Sequence, residues 1–354
     1  MARIAVIAGD GVGPEVIPQG VRALEVLSAR RGLGLVLEPW PYGADHFLAT
    51  GETLPEARFE ALLRGEYAAV LLGAVGDPRL PDHRHARDIL LGLRTRLDLY
   101  VNLRPVRLLD DRLTPLKGKT RREVDLVVFR ENTEGLYTGA GGRVRPGTPE
   151  EVALEQDVNT ARGVTRILRA ALDFAHAHGK RRVCMSDKSN AMTHAGALWQ
   201  RLWRELGEGY PELERRHLYV DALCLELVRA PEQFDVVVTS NLFGDVASDV
   251  GAAIAGGMGV AASANLNPES GLGLFEPVHG SAPGLAGKDL ANPCATFLTC
   301  ALLLEHLGHP AEARLLEAAV ERAAREGRLT PDCGGALGTR AVADFVVEEL
   351  ARTA

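Results

Sequence analysis

Three groups of charged residues have types and spacings that could do chemistry. Asp245 and Asp249 lie four apart in Asn241-Leu-Phe-Gly-Asp245-Val-Ala-Ser-Asp249, with Asp221 upstream. On a helix the pair shares one face, where two like charges repel unless a cation or an arginine sits between them. The donors are hard oxygens, suited to Mg²⁺ or Mn²⁺ rather than zinc. The spacing serves equally well as the acid-rich first turn of a helix. Lys188, in Ser186-Asp187-Lys188-Ser189-Asn190, leaves a strand pattern beside an acid. There it could serve as a base if its pKa falls, although such a lysine is more often a solvated turn residue. Arg94 closes a helical pattern, Arg104 a strand-like run, and Arg130 opens Arg-Glu-Asn-Thr-Glu-Gly-Leu-Tyr137. Arginines at strand ends can converge on a carboxylate through bidentate bonds, but singly each is more often a surface ion pair.

Two further stretches could hold a phosphate or a nucleotide. Gly9-Asp10-Gly11-Val12-Gly13-Pro14-Glu15 follows the first strand pattern, but Pro14 stands where a G-x-G-x-x-G fingerprint needs glycine. No G-K-[ST] follows, so a P-loop is excluded, and Pro14 suits the first turn of a helix. Phe275-Glu-Pro-Val-His279-Gly280-Ser281-Ala282-Pro283 runs on to Gly287-Lys288 and Ala291-Asn292-Pro293. Exposed amides in such a turn can cradle phosphate, although as bare chemistry a structural turn is the commoner reading.

The elements that must position these residues alternate. Strand-like runs at Ile4–Ala8, Leu35–Glu38, Ala68–Leu72, Asp125–Phe129, Arg182–Ser186 and Asp235–Thr239 are separated by amphipathic stretches near 15–30, 55–64, 86–97, 158–178 and 195–206. The alternation predicts an α/β architecture with a substantially parallel sheet. From about 292 to 352 the pattern is nearly all helical, broken at 308–310 and 330–335. Residues 138–150 are rich in Gly and Pro and read as a protruding hairpin or a surface loop.

Composition narrows the class. The 354 residues suggest two domains, at about 150 residues each. With 46% apolar and 25% charged residues the chain is an ordinary globular one. A net charge of −7 without a basic block argues against a nucleic-acid partner. The five cysteines are scattered, never C-x-x-C, which predicts free thiols in a reducing cytoplasm rather than zinc ligands or disulfides. The most apolar stretch, 250–264, is shorter than the roughly 20 residues a membrane span needs, and the N-terminus lacks a signal-peptide pattern.

In this order the five motifs resemble the β-decarboxylating dehydrogenases, the family of 3-isopropylmalate, isocitrate, homoisocitrate and tartrate dehydrogenases. The resemblance spans essentially the whole chain, and Asn241-Leu-Phe-Gly-Asp245 and Phe275-Glu-Pro-Val-His279-Gly-Ser-Ala-Pro are its most specific parts. It implies two open α/β domains with an active-site cleft between them: a discontinuous cofactor domain, 1–102 plus 257–354, and a dimerisation and substrate/metal domain, 103–256. An arm near 138–156 would interlock two subunits in a homodimer with shared active sites, with tetramers left open. Arg94, Arg104 and Arg130 would hold substrate carboxylates, and Asp245 and Asp249, with Asp221 of the second subunit, would hold Mg²⁺ or Mn²⁺. Lys188, Tyr137 and Asp221 would be catalytic, Lys188 taking the hydroxyl proton and Tyr137 helping to protonate the enol. Val12, Asn190, His279, Gly280, Ala282, Ala291 and Asn292 would contact the cofactor. Gly284 stands where NAD-dependent relatives have an Asp for the adenosine ribose; the lysine–tyrosine pattern of NADP-dependent isocitrate enzymes is also missing. NAD is therefore the expected cofactor, with NADP not excluded.

Substrate choice within the family rests on the helix before Arg94. Isocitrate enzymes resemble one another in a serine six, and an asparagine four, before this arginine; here Asp88 and Leu90 stand there. Homoisocitrate enzymes can have an arginine three before it, where this chain has Leu91. Leu90 and Leu91 offer an apolar surface for a branched alkyl group. The expectation is oxidative decarboxylation of a 2-hydroxy-3-carboxy acid, 3-isopropylmalate to 2-oxoisocaproate, in leucine biosynthesis. The alternatives are homoisocitrate, isocitrate or tartrate/D-malate turnover, for which Arg87 could reach a distal carboxylate, and a non-catalytic ligand-binding paralogue.

Overall fold

A computed structural model describes residues 1–354. Along the chain lie β1 (Ala2–Ile7), α1 (Gly13–Arg31), β2 (Leu35–Trp40), α2 (Ala44–Thr50), α3 (Glu56–Leu63), β3 (Ala69–Leu72), a helical segment α4 (84–96), β4 (Val101–Arg107), β5 (Asp125–Glu131), β6 (Gly141–Val144), β7 (Val152–Glu155), α5 (Ala161–Ala177), β8 (Arg182–Asp187), α6 (Thr193–Gly207), β9 (Glu214–Tyr219), α7 (Val220–Arg229), β10 (Val236–Thr239), α8 (Asn241–Ile254), β11 (Ala262–Asn267), β12 (Leu272–Pro277), α9 (Cys294–His306), α10 (Pro310–Arg325) and α11 (Thr339–Thr353). The chain folds into two compact units, Met1–Leu99 with Arg104–Val124 and Ala252–Ala354, and Tyr100–Leu103 with Asp125–Gly251. Each consists of strands covered by helices, as the alternating pattern predicts.

In the first unit the strands run in the order β2-β1-β3-β12-β11. β1 pairs in parallel with β2 and β3, and β3 with β12, whereas β11 and β12 form an antiparallel hairpin. The hairpin is the departure from a parallel sheet, and neither of its strands was among the expected runs. Side chains alternate across the sheet, as the two-residue period of a strand requires. Ile4, Val6 and Leu71 pack with Leu24, Phe297, Leu316 and Val346 of α1, α9, α10 and α11. Ala5, Ile7 and Leu72 pack on the other face with Trp40, Phe59, Ile89 and Leu93.

Residues 104–124, expected with the second domain, pack in the first unit. Leu109 lies in the core beside α9–α11. Arg107 bonds Glu317 and Glu321 of α10, and Arg112 donates to the carbonyls of Ala324 and Arg325 at its C-terminus. A cation at a helix C-terminus satisfies carbonyls that the helix leaves unpaired.

In the second unit β5, β10, β8 and β9 are parallel neighbours. α5 buries Val164, Ile167, Leu168, Ala171, Leu172 and Ala175, an apolar stripe at helical spacing. Thr160 caps its start by accepting from the Gly163 amide at 3.0 Å. The Gly- and Pro-rich stretch forms a hairpin of β6 and β7, both exposed along their whole length. All five cysteines are free thiols. No helix is long and apolar enough to cross a membrane.

Candidate active site

In the second unit β5 delivers Arg130 at its end, and α8 begins immediately beyond β10. Gly244 lets that helix approach: a Cβ there would stand 2.6 Å from Cβ of Arg130. The guanidinium, 1% exposed, donates through Nε and Nη2 to Oδ1 of Asn241 at 3.0 and 2.7 Å. Its Nη1 donates to Oδ1 of Asp245 at 2.5 Å. The Tyr137 hydroxyl donates to the other carboxylate oxygen, Oδ2, at 3.0 Å. Burial raises the Tyr137 pKa and the Arg130 charge opposes the rise, so the phenol stays protonated at neutral pH. Asp249 follows one helical turn after Asp245 and is exposed.

Lys188 is the first residue after β8 and forms an ion pair with Asp221, in the first turn of α7. The hydrogen bond from Lys188 holds the Asp221 carboxyl below its usual range. Buried Asp187 accepts from the Ser189 amide at 3.0 Å and Gln200 Nε2 at 2.9 Å, and pairs with His217 Nε2 at 2.8 Å. The expected acids do not gather within one chain. Asp221 stands with Lys188, and Asp245 with Arg130 and Tyr137. No group of three His, Cys, Asp or Glu is placed to hold a metal ion.

In the first unit a pocket of about 510 Å³ opens beside the turns at Val12 and 279–292. Six of the seven expected cofactor residues line it: Val12, His279, Gly280, Ala282, Ala291 and Asn292. Asn190 belongs to the second unit and does not. Two turns are zipped together at its edge, the Val12 amide donating to the Ser281 carbonyl at 2.8 Å. Gly11 has φ +58°, and a Cβ on it would meet that carbonyl oxygen at 1.9 Å. Only glycine fits such a position. Met258, Leu285, Leu290 and Asp332 also line the pocket. Sequence reasoning did not single out the three apolar ones, because no local pattern distinguishes them from surface residues, whereas Asp332 lies where NADP-dependent isocitrate enzymes would begin a Tyr/Arg pair.

The same unit carries Arg94 and Arg104, each 6% exposed. Arg94 Nη2 donates to Glu276 Oε1 at 2.7 Å, leaving its buried Nε without a partner. Glu276 belongs to the Phe275–Pro283 motif, whose spacing alone assigns it no role. Leu90 and Leu91 are half-buried on α4, in a π-helical turn, Arg87–Leu91.

A family model described as isocitrate/isopropylmalate dehydrogenase matches residues 3–348. The chain belongs to the isocitrate/isopropylmalate dehydrogenase family. It is an oxidoreductase, a β-decarboxylating dehydrogenase. Among its relatives, a 3-isopropylmalate dehydrogenase of Thermobifida fusca is 45% identical over 350 residues, covering 99% of this chain and 98% of the relative. One of Streptomyces avermitilis is 47% identical over 345 residues, with 95% and 97% covered. The fold matches a crystal structure of isocitrate dehydrogenase from Methylococcus capsulatus with a TM-score of 0.89 and 34% identity, over 99% of this chain and all of that one.

The pocket suits the nucleotide that a dehydrogenase of this family would use. Met258, Leu285 and Leu290 are otherwise exposed large apolar side chains, the kind of wall a planar base covers. His279 Nδ1 lies 3.0 Å from the Gly280 carbonyl, while its buried Nε2 has no partner. Burial lowers the His279 pKa and so keeps the ring neutral. With Nδ1–H donating, Nε2 is left as an acceptor for an amino group. The donor chemistry of the three aspartates suits Mg²⁺ or Mn²⁺, although one chain does not gather them at one point. Asp221, Asp245 and Asp249 are hard-oxygen donors open to solvent, with side chains 68% and 35% exposed at Asp221 and Asp245.

Proposed function

We propose that the enzyme oxidatively decarboxylates 3-isopropylmalate with NAD and Mg²⁺ or Mn²⁺, in leucine biosynthesis. The observation that carries the substrate assignment is the half-buried pair Leu90–Leu91 on α4, the helix that also carries Arg94. The names of the relatives over nearly the full chain support it. An apolar surface there favours an isopropyl group, worth on the order of 2 kcal/mol of transfer free energy. A carboxylate in its place would be desolvated without a partner, which costs more than that gain.

Arg94, Arg104 and Arg130 bind the two carboxylates, and their buried guanidiniums are already oriented by hydrogen bonds or packing. Asp245, Asp249 and Asp221 would hold the cation, and Val12, Asn190, His279, Gly280, Ala282, Ala291 and Asn292 the nucleotide. When bound, the nicotinamide accepts hydride and the cation withdraws charge from the substrate oxygens as a Lewis acid. Lys188 removes the hydroxyl proton, directly or through water. Loss of CO₂ leaves an enolate, and Tyr137, protonated and hydrogen-bonded to Asp245, helps to deliver the proton that completes the product.

Asp221 and Lys188 serve the site of a second copy. That no three acids of one chain are placed together to hold a metal ion supports this, as does the exposed hairpin of β6 and β7. Val144, Val152 and Leu154 on it are 47–55% exposed. A two-stranded hairpin is marginal in isolation, and exposed apolar residues on it call for a partner.

The test is nicotinamide reduction, followed by absorbance, with NAD and NADP across 3-isopropylmalate, isocitrate, homoisocitrate, tartrate and D-malate. The expected result is a kcat/KM for 3-isopropylmalate above each of the others by more than about tenfold, the equivalent of 1.4 kcal/mol. Faster turnover of any other acid overturns the substrate assignment.

A further inference from the structure

Helix α4 carries Leu90, Leu91 and Arg94, and its two ends are held in different ways. Beyond its middle, Arg94 is tied to Glu276 Oε1, which also accepts from Asn265 Nδ2 at 2.9 Å. At its start stands His85, 0% exposed, with Nε2 2.9 Å from Oδ2 of Asp10. Asp10 is itself buried and heavily bonded. Its Oδ1 accepts the Ala44 amide at 2.6 Å and its Oδ2 the Gly76 amide at 2.7 Å. Both Asp10 oxygens already act as acceptors of backbone amides, so Nε2 is the donor of the His85–Asp10 bond. The ring stacks on Phe47, centroids 6.1 Å apart, and its Nδ1 is buried without a partner.

A leucine would avoid the unsatisfied Nδ1, but it would also take from the buried Asp10 carboxylate the donor that Nε2 supplies. The histidine is therefore poorly explained as packing. What it does provide is a link between two places. Asp10 adjoins Gly11 and Val12, the turn that is zipped to Ser281 and lines the nucleotide pocket. His85 lies just before the π turn Arg87–Leu91. A π turn contains an extra residue relative to an α turn, so the angular phase of Leu90 and Leu91 depends on how the preceding turn is anchored.

We propose that His85 is a positioning residue that pins α4 to the nucleotide-binding turn through Asp10, and so sets how Leu90 and Leu91 meet the 3-substituent of the substrate. It touches no substrate itself. The proposal rests on the 3-isopropylmalate reading above and names the residue that supports its selectivity.

The test compares His85→Leu, His85→Gln and His85→Asn with the unmodified enzyme. For each, kcat/KM is measured for 3-isopropylmalate and for D-malate, which lacks the alkyl group, at saturating NAD and Mg²⁺, alongside Tm. Leucine fills the volume without a donor. Glutamine keeps a donor near the position of Nε2, and asparagine is too short to reach Asp10. His85→Leu and His85→Asn should lower the isopropylmalate-to-malate ratio about fivefold or more, mainly through KM, which is about 1 kcal/mol of lost discrimination. His85→Gln should keep the ratio within about twofold. If the leucine variant does not fold, the glutamine–asparagine pair decides. A ratio unchanged in every folded variant, whatever happens to Tm, overturns the proposal alone. An unmodified enzyme that does not oxidise 3-isopropylmalate overturns the substrate reading and this proposal with it.

Discussion

The hydroxyl of Tyr137 and the guanidinium of Arg130 share one carboxylate, that of Asp245, each taking one of its oxygens at 3.0 and 2.5 Å. A proton donor, a candidate substrate-binding cation and a candidate metal ligand are thus joined within hydrogen-bond distance. Tyr137→Phe keeps the ring under Arg130 and removes only the proton. It should lower kcat about 100-fold, the low end of a general acid's contribution, with KM for the acid substrate little changed. Steady-state kinetics at pH 7.5 decides this, and a kcat within about twofold of the unmodified enzyme would remove Tyr137 from the chemistry.

Activity should require a divalent cation. Chelator should abolish turnover and added Mg²⁺ or Mn²⁺ restore it. Asp245→Asn should lower kcat by orders of magnitude at saturating metal, since a Lewis acid contributes several kcal/mol. Full activity in excess chelator would refute a metal role for Asp221, Asp245 and Asp249.

Two inactive proteins should complement each other. Lys188→Ala and Arg94→Ala each damage every site of their own homodimer. After subunit exchange, a mixed dimer has one site drawing Arg94 from one copy and Lys188 from the other, both intact. Partial recovery of activity is expected. No recovery, with exchange confirmed by mass-tagged subunits, argues that each chain supplies its own lysine.

Truncating the leucine pair should act selectively. Leu91→Ala removes roughly 2 kcal/mol of apolar contact if it is fully used and about half that from a half-buried side chain. The kcat/KM for 3-isopropylmalate should fall about fivefold to tenfold while that for D-malate changes little. Equal losses on both acids would mean that the leucine serves packing alone.

Glu38 offers a test of stability against pH. Hydrogen bonds from Tyr67 and Arg3 hold its carboxyl at about 2, against 4.5 for a free one. A carboxyl depressed on folding stabilises fully above its unfolded value and loses that contribution as pH falls from about 4.5 through about 2. Glu38→Gln should therefore lower Tm at pH 7, and the gap from the unmodified protein should narrow on acidification. A gap constant from pH 7 to pH 3 would contradict the assignment.

The strand and helix series was legible because periodicity is local. Ile4–Ala8 became β1, Asp125–Phe129 became β5, and the helical pattern after 292 became α9–α11 within a few residues. Pro14 at the start of α1 and the shared helix of Asp245 and Asp249 were legible for the same reason. The motifs Asn241–Asp245 and Phe275–Pro283 pointed to the family, since they are long enough to be specific. Membership, and with it the oxidoreductase class, was therefore readable before any coordinates.

The tertiary structure decided what depends on contacts distant in sequence. Residues 104–124 belong to the first unit because Leu109, Arg107 and Arg112 find their partners on helices some 200 residues later, which no window can foresee. The β11–β12 hairpin departs from the parallel pattern because strand direction is set by pairing and not by composition. Asp221 is expected on the resemblance to serve a second subunit, but the ion pair it makes with Lys188 in its own chain, 33 positions away, is visible only in the fold. His85 reads as an ordinary helix residue. Its burial against Asp10, 75 positions away, exists only once β1, β3 and α4 have packed, because a buried hydrogen bond is made by the fold and not by neighbours in sequence.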